Sequence, residues 1–285
     1  MALFKGKNII SNLQEWKVKA VSDPESVVRE AGKKLQQEDF ANCWDVLKEL
    51  LPLLDRTSRR DLVRPLLARE VPTLKDLMNN REERELAIEC LGYLPSREVI
   101  EILAELLGHK EDAVQLMASG ALKNHTPRLV VPILLTGLLE EKIAAARAGE
   151  VLLAMGFYAQ EMMLEAYPKA TAQVQARLLE LMVLGENPKC RPFVAEAIDS
   201  TEIVLKKKAL EAIEAFMFRE YWLEVAMCLA EDDWSIRAKS LEVLASLRVV
   251  EAVEYVEPFL QDQDPWVREC AATCIRNLQE IKERD

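Results

Sequence analysis

A repeat of about 31 residues constrains the fold of this chain more than any other feature of its sequence. The segments DDWSIRAKSLEVLASL and DQDPWVRECAATCIRNL align when Arg237 is placed on Arg268. Five further anchor positions follow toward the N-terminus at intervals of 30 or 31 residues: Arg84, Gln115, Ala145, Gln175 and Lys206. A period of this length indicates small structural units that stack on one another.

The residues around each anchor have the period of an amphipathic helix. The position seven residues after the anchor is apolar in all seven repeats, and the preceding position is apolar in six, with Glu83 as the exception. A polar residue such as Asp233 or Asp264 stands four residues before the anchor. Such residues accept hydrogen bonds from free N–H groups at a helix start. The pattern therefore predicts a first helix in each repeat.

A second apolar position predicts a second helix in each repeat. It lies nineteen residues after six of the anchors and is occupied by Leu103, Leu134, Leu164, Val194, Val225 and Val256. Two helices of roughly 12 residues each, with short turns, fill a repeat of this length. A single helix pair cannot bury both apolar sides, so we predict an all-α solenoid of about seven regular repeats.

The N-terminal residues keep the helical pattern but lose the strict phase. Residues 22–35, SDPESVVREAGKKL, resemble the start of a repeat, and Pro65 and Pro72 are expected to interrupt the helices that follow. We predict irregular helical repeats or a cap over residues 1–79 and regular repeats over residues 80–285. Both parts are expected to form one continuous solenoid, because terminal repeats are commonly atypical.

The motif D-x-x-V-R-x-x-A-A-x-x-I, from Asp264 to Ile275, resembles the HEAT-like repeat of the phycobilisome-lyase (PBS lyase) type. The resemblance covers residues 80–285 well and residues 22–79 loosely. It implies a right-handed α-α superhelix of the HEAT/ARM-like, armadillo-type class. It also implies that four residues are structural and serve to cap helices and link neighbouring units: Asp233, Arg237, Asp264 and Arg268. In the three middle repeats the anchor position is not basic and is occupied by Gln115, Ala145 and Gln175.

Composition and charge argue against nucleic-acid and membrane partners. The formal net charge is −11, with +2 on residues 1–80 and −13 on residues 81–285. Nucleic-acid binding depends largely on basic groups that neutralise phosphates. The longest apolar run, residues 129–139, contains Pro132 and is shorter than the roughly 20 residues of a membrane-spanning helix. The N-terminus lacks the apolar core of a signal peptide, so we predict a cytoplasmic protein.

The sequence contains no pattern that is typical of catalysis, a metal site or a cofactor site. His109 and His125 are the two histidines, and the six cysteines include no CxxC pair. The iron-binding hydroxylases that resemble this fold need several His-Glu pairs, and the sequence has none. We therefore predict no catalytic residue, metal or cofactor, a packed turn histidine at His125, and buried, reduced cysteines.

Two groups of side chains are candidates for binding a partner. The resemblance implies that the second helices line a concave face. That face would be acidic, and would attract a basic segment, if it presents six glutamates of the second helices. These are Glu101, Glu105, Glu220, Glu224, Glu254 and Glu257. The alternative is ordinary solvated helix surface. Trp234 and Trp266 stand at the starts of successive first helices. They are either an exposed pair that grips a partner or rings that cover the joint between neighbouring units.

These observations favour a non-catalytic scaffold or adaptor that binds a partner protein or peptide, with a basic segment as the expected ligand. The resemblance also implies two alternatives. One is an accessory subunit of a cofactor-attachment enzyme, similar to a bilin lyase. The other is a HEAT-like DNA glycosylase, which the acidic C-terminal part disfavours. The sequence predicts neither the identity of the partner nor the oligomeric state.

Overall fold

A computed structural model describes the backbone of residues 5–282 and the side chains of residues 12–280. All regular secondary structure in this range is helical, which confirms the predicted all-α class. The helices of the N-terminal half are α1 (Lys5–Ser22), α2 (Pro24–Leu35), α3 (Phe40–Leu50), α4 (Arg56–Leu67), α5 (Val71–Leu77), α6 (Arg84–Leu91), α7 (Arg97–Leu106), α8 (Asp112–Leu122) and α9 (Pro127–Leu139). The later helices are α10 (Ala145–Ala154), α11 (Phe157–Ala166), α12 (Ala172–Leu184), α13 (Arg191–Ile198), α14 (Ile203–Phe216), α15 (Trp222–Met227), α16 (Trp234–Leu247), α17 (Val253–Val256) and α18 (Pro265–Lys282).

The first helices of the repeats are α6, α8, α10, α12, α14, α16 and α18. Each contains one of the seven anchors among its first four residues. The second helices are α7, α9, α11, α13, α15 and α17, which alternate with the first helices along the chain. The repeat phase therefore predicted the order of these helices and the starts of α8, α12, α14, α16 and α18, whereas α6 and α10 begin three residues later than the pattern predicts.

The later second helices are shorter than the roughly 12 residues predicted. Helix α15 has 6 residues and α17 has 4, and 3-10 turns continue them over Cys228–Ala230 and Glu257–Gln261. Pro258 contributes to the early end of α17, because it has no N–H to donate to the carbonyl of Glu254.

The expected helix break at Pro65 is wrong, because Pro65 lies inside α4. It stands near the C-terminal end of that helix, and the carbonyl that loses its donor belongs to the exposed Asp61, where water can take the donor's place. Pro72 stands in the first turn of α5, a position that proline tolerates well.

The chain divides into two compact units. One consists of Met1–Leu134 with Ala146–Val151, and the other of Leu135–Ala145 with Leu152–Asp285. Within the second unit, α12, α14, α16 and α18 pack against one another in order, and α13, α15 and α17 pack against the first helices that follow them. The predicted grouping into residues 1–79 and 80–285 concerns the regularity of the repeat and stays a prediction.

The core consists mainly of the apolar positions that the repeat predicts. Seven residues after the anchors, six side chains are fully buried: Leu91, Leu122, Leu152, Met182, Ile213 and Leu244. The seventh, Ile275, is half-buried because it belongs to α18, the last helix described. Burial of these side chains against the next helix pair is the main source of stability in a repeat array.

None of the helices described is both long enough and apolar enough to cross a membrane.

Candidate protein-binding site

The anchor arginines hold the turns that precede their helices. Arg237 Nη1 donates to the carbonyl oxygens of Glu231 at 2.9 Å and Asp232 at 2.8 Å. Its Nε and Nη2 also donate to the two carboxylate oxygens of Asp262 at 2.8 and 2.9 Å. The side chains of this ion pair are 6% and 7% exposed. The pair therefore links α16 to the turn before α18 in a geometry that favours strong bonds.

The carboxylate partner of Arg237 is Asp262, and this contact was not predicted from the sequence. A signal exists in the repeat, because an acid stands 25 residues after the anchor in the preceding repeat as well, where Lys206 pairs with Glu231. Among the described residues Arg268 pairs with no carboxylate, and its Nη1 donates to the carbonyl oxygens of Asp262 and Gln263 at 2.6 and 3.2 Å.

Asp233 and Asp264 lie at the starts of α16 and α18. Asp233 Oδ1 accepts hydrogen bonds from the N–H groups of Ser235 and Ile236, and the Ser235 hydroxyl and these N–H groups lower the pKa of Asp233. Asp264 Oδ1 accepts from the N–H groups of Trp266, at 2.8 Å, and Val267. These bonds fix the first turn of each helix, where Trp234 and Trp266 stand.

Trp234 and Trp266 line one groove on the first-helix side of the second unit. Their side chains are 49% and 55% exposed, and the groove has a volume of about 260 Å³. Polar and small residues complete its wall: Lys207, Glu211, Ser235, Ala238, Lys239 and Glu242. The structure thus brings the two predicted tryptophans together and leaves both residues about half exposed.

A chain of ion pairs passes along the same helices. Lys239 Nζ lies 2.7 Å from Glu214 Oε2 and 3.2 Å from Glu242 Oε2. Lys208 makes the same two kinds of contact one repeat earlier, with Glu180 at 3.3 Å and Glu211 at 2.7 Å. Burial opposes the charge of Lys239, but these hydrogen bonds raise its pKa. The network holds the polar wall of the groove in a defined position.

This network was not predicted, although the sequence carries its signal. A basic residue stands two positions after the anchor and a glutamate five positions after it in four successive repeats. The pairs are Arg147 with Glu150, Arg177 with Glu180, Lys208 with Glu211, and Lys239 with Glu242.

The six candidate glutamates are distributed over both units. Glu101 and Glu105 are exposed in the first unit, and Glu101 pairs with Arg97 at 2.7 Å. The other four lie in the second unit and have different surroundings: Glu220 pairs with Arg191 at 3.2 Å, Glu224 is half-buried, and Glu254 and Glu257 are exposed. The grouping of all six on one acidic surface stays a prediction.

The two histidines and the cysteines have no common site. His125 is 8% exposed, and burial together with the nearby charge of Arg64 lowers its pKa to about 4. His125 is therefore a neutral, packed side chain. Among the residues described, no three His, Cys, Asp or Glu side chains come close enough together to hold a metal ion.

Comparison with known families identifies HEAT repeats in two parts of the chain. The model described as HEAT repeats matches residues 71–154, and the HEAT repeat model matches residues 252–281. Fold and matches together define the class, an all-α protein that contains HEAT repeats. The resemblance to HEAT repeats is thereby confirmed, whereas the phycobilisome-lyase type stays a prediction. No curated protein matches the chain.

Three solved structures illustrate the likeness. An engineered protein is 15% identical, covers 94% of both chains and superposes with a TM-score of 0.44. A second engineered protein is 18% identical over 74% of this chain and 97% of its own, with a TM-score of 0.32. Human deoxyhypusine hydroxylase in complex with glycerol is 15% identical over 98% of both chains, with a TM-score of 0.29.

Proposed function

We propose that this protein is a non-catalytic scaffold that binds a partner protein, and that Trp234 and Trp266 are its principal contact residues. The observation that carries the proposal is the pair of half-exposed tryptophan residues in one groove. Tryptophan is enriched among the few residues that dominate the binding energy of protein interfaces. Covering the exposed part of both rings removes apolar surface from water, which favours association.

The two rings are presented by a rigid framework. The caps at Asp233 and Asp264 fix the backbone on which the rings stand, and the pair of Arg237 and Asp262 joins the two helix starts. A side chain that is already positioned loses less conformational freedom when a partner binds. Restriction of the backbone before binding therefore supports a role in recognition.

We further propose that the partner presents basic side chains beside an apolar contact residue. Residues 81–285 carry a net charge of −13. In the second unit, Glu254 and Glu257 are exposed, and neither has an ion-pair partner within the described part of the chain. Complementary charge accelerates association and selects among partners more than it adds affinity.

Comparative capture from a native lysate tests this function. The baits are the wild-type chain, the double variant Trp234→Ala/Trp266→Ala, and the control Leu184→Ala, which removes an apolar side chain that is 61% exposed outside the groove. Quantitative mass spectrometry should show a partner whose recovery falls at least tenfold with the double variant and stays unchanged with the control. Equal recovery of every captured protein by all three baits would contradict the proposal.

The accessory-subunit and glycosylase roles implied by the sequence resemblance stay predictions with direct tests. The first predicts a change in bilin absorbance when the purified protein is added. The second predicts release of alkylated bases from DNA. Activity in either assay would replace the scaffold as the primary function.

A further inference from the structure

Three cations of the first unit have no carboxylate partner. Arg56 and Arg64 lie on α4, Lys123 lies in the turn that follows α8, and all three residues are exposed. Within the part of the chain that the structure describes, none of them forms an ion pair. We call these three residues the basic cluster. None of them lines the groove between the tryptophans.

The two arginines reach the same pair of turns. Arg64 Nε donates to the carbonyl oxygen of Tyr93 at 2.8 Å, and Arg56 Nη2 donates to Oδ1 of Asn124. Tyr93 and Asn124 are 31 residues apart and hold equivalent positions in successive repeats. Their turns are in contact, because a Cβ atom at Gly92 would lie 3.1 Å from Asn124 Nδ2. The two guanidinium groups therefore approach each other, although their Cα atoms are about 12 Å apart along α4.

The electrostatics of a buried neighbour agree with this placement. His125 follows Asn124 in the turn after α8. Burial, and after it the charge of Arg64, lower the pKa of His125 to about 4. The positive charge of Arg64 therefore acts on the same turn that Arg56 contacts.

Most of the hydrogen-bonding capacity of the two arginines is unused. A guanidinium group has five N–H bonds in a planar fork. Within the described part of the chain, Arg64 donates only through Nε and Arg56 only through Nη2. Both acceptors are neutral, so these bonds position the guanidinium groups without neutralising their charge. Because both side chains are exposed, a ligand can reach the remaining N–H groups.

The nearby carboxylates on α4 and α6 are engaged elsewhere. Asp55 caps the start of α4. Asp61 pairs with Arg60 at 2.9 Å, and Glu89 pairs with Arg59 at 2.7 Å. These contacts leave the charge of the basic cluster available to an anion from outside the chain.

We propose that the basic cluster binds a phosphorylated serine or threonine of the partner protein. A phosphate monoester carries a charge of about −1.5 to −2 near pH 7 and three acceptor oxygens. Two guanidinium groups and an ammonium group match that charge better than they match a single carboxylate. Arginine clusters recognise phosphorylated segments in several classes of binding domain. This inference rests on the proposed role in protein binding and adds a second contact, in the first unit.

The probe is N-acetyl-phosphoserine N-methylamide, titrated into the full-length ¹⁵N-labelled protein. The matched probe is N-acetyl-glutamate N-methylamide, which carries a single negative charge. The readout is the position of the amide cross-peaks of Tyr93, Lys123 and Asn124. We expect saturable shifts with the phosphorylated probe and at least about fivefold weaker binding of the glutamate probe. Inorganic phosphate, as a third probe, should bind no more tightly than the phosphoserine probe.

Two variants remove one charge each. Arg56→Gln and Arg64→Gln keep a side-chain N–H donor for the neighbouring turn. The control Arg81→Gln removes the charge of an exposed arginine in the turn before α6, at the opposite end of that helix from the cluster. Thermal unfolding of each variant confirms that it is folded before titration. Each cluster variant should bind the phosphorylated probe at least about fivefold more weakly, whereas Arg81→Gln should bind it as the wild type does.

Four results would overturn this inference: no saturable shift in the wild type, wild-type affinity in both cluster variants, equal binding of the glutamate probe, or tighter binding of inorganic phosphate than of the phosphoserine probe. Partner capture that depends on the tryptophans would then still support the scaffold role. Conversely, phosphoserine binding combined with capture that is insensitive to the tryptophans would contradict the proposed contact residues and leave the phosphate site intact.

Discussion

His125 is a titratable group in a position where other repeats have Leu94, Met155 and Phe216. Burial and the charge of Arg64 lower its pKa from 6.5 to about 4 in the folded state, although a hydrogen bond with the backbone at Leu91 acts in the opposite direction. The unfolded chain therefore binds a proton at pH values where the folded chain does not. The contribution to stability is complete above pH 6.5 and is lost as the pH falls toward 4.

We expect the free energy of unfolding to fall by about 2.5 kcal/mol between pH 7 and pH 4.5 through His125 alone. Urea denaturation at both pH values measures it. In His125→Leu the difference between the two pH values should be smaller by that amount, because the titrating group is gone. The same pH dependence in both proteins would show that His125 is not buried in its neutral form.

The cysteines are predicted to react slowly in the native protein. Burial raises the pKa of Cys43, Cys190 and Cys228 to about 11 and that of Cys274 to about 12, so few thiolates exist near neutral pH. Cys270 is half-buried and should be labelled first by iodoacetamide. Mass spectrometry of timed samples should show that all six cysteines are alkylated rapidly in denaturant. Equally rapid alkylation of all six in the native protein would contradict the burial of these thiols.

At the scale of the element, the ion pair of Arg237 and Asp262 joins two successive first helices. Replacement of Arg237 by alanine leaves the largely buried carboxylate of Asp262 and two backbone carbonyls without their donor. We therefore expect the free energy of unfolding to fall by about 3 kcal/mol. Arg268→Ala is the matched control, because that exposed side chain bonds two carbonyls but no carboxylate, and it should cost about 1 kcal/mol. Denaturant titration measures the free energy of unfolding of both variants. Equal losses would show that the ion pair with Asp262 adds no stability beyond the hydrogen bonds to the carbonyls.

Leu244 tests the phase of the repeat within α16. Its side chain is fully buried, so Leu244→Asp places an unpaired charge between packed helices and should destabilise the protein by roughly 4 kcal/mol. The control Leu184→Asp changes a side chain that is 61% exposed and should cost no more than about 0.5 kcal/mol. A melting temperature that does not change with Leu244→Asp would refute the assignment of this position to the core.

Helix order and core positions could be predicted because they depend on a periodic apolar pattern. Leu91, Leu122 and Leu244 occupy the same position in their repeats and are all buried. The 3-10 turns after α15 and α17 could not be predicted, because their tighter hydrogen bonding leaves the apolar pattern almost unchanged. The contact between Arg237 and Asp262 was missed for a different reason. It depends on how the turn before α18 packs against α16, which the apolar pattern does not specify.

At the scale of the whole molecule, the candidate site was predicted in part. The tryptophans were named from their place at successive helix starts, and their exposure needed the packed structure, because a ring at a helix start can equally cover a joint.

The acidity of the C-terminal part predicts an effect of charge on partner binding. Glu254→Lys/Glu257→Lys reverses two exposed charges in the second unit and should slow association with a basic partner about tenfold at low salt, with a smaller effect at high salt. The control Glu82→Lys/Glu85→Lys makes the same change in net charge at exposed positions of the first unit. Surface plasmon resonance at two salt concentrations measures the rates, and equal slowing by both variants would show that only net charge matters.

The central claim is that Trp234 and Trp266 provide the dominant contact with a partner protein. The most direct test is the dissociation constant of the purified partner, measured by isothermal titration calorimetry for the wild type and for Trp234→Ala/Trp266→Ala. We predict binding at least about 100-fold weaker in the double variant, as expected when dominant contact residues are truncated, with an unchanged melting temperature. A dissociation constant within twofold of the wild-type value would contradict the account.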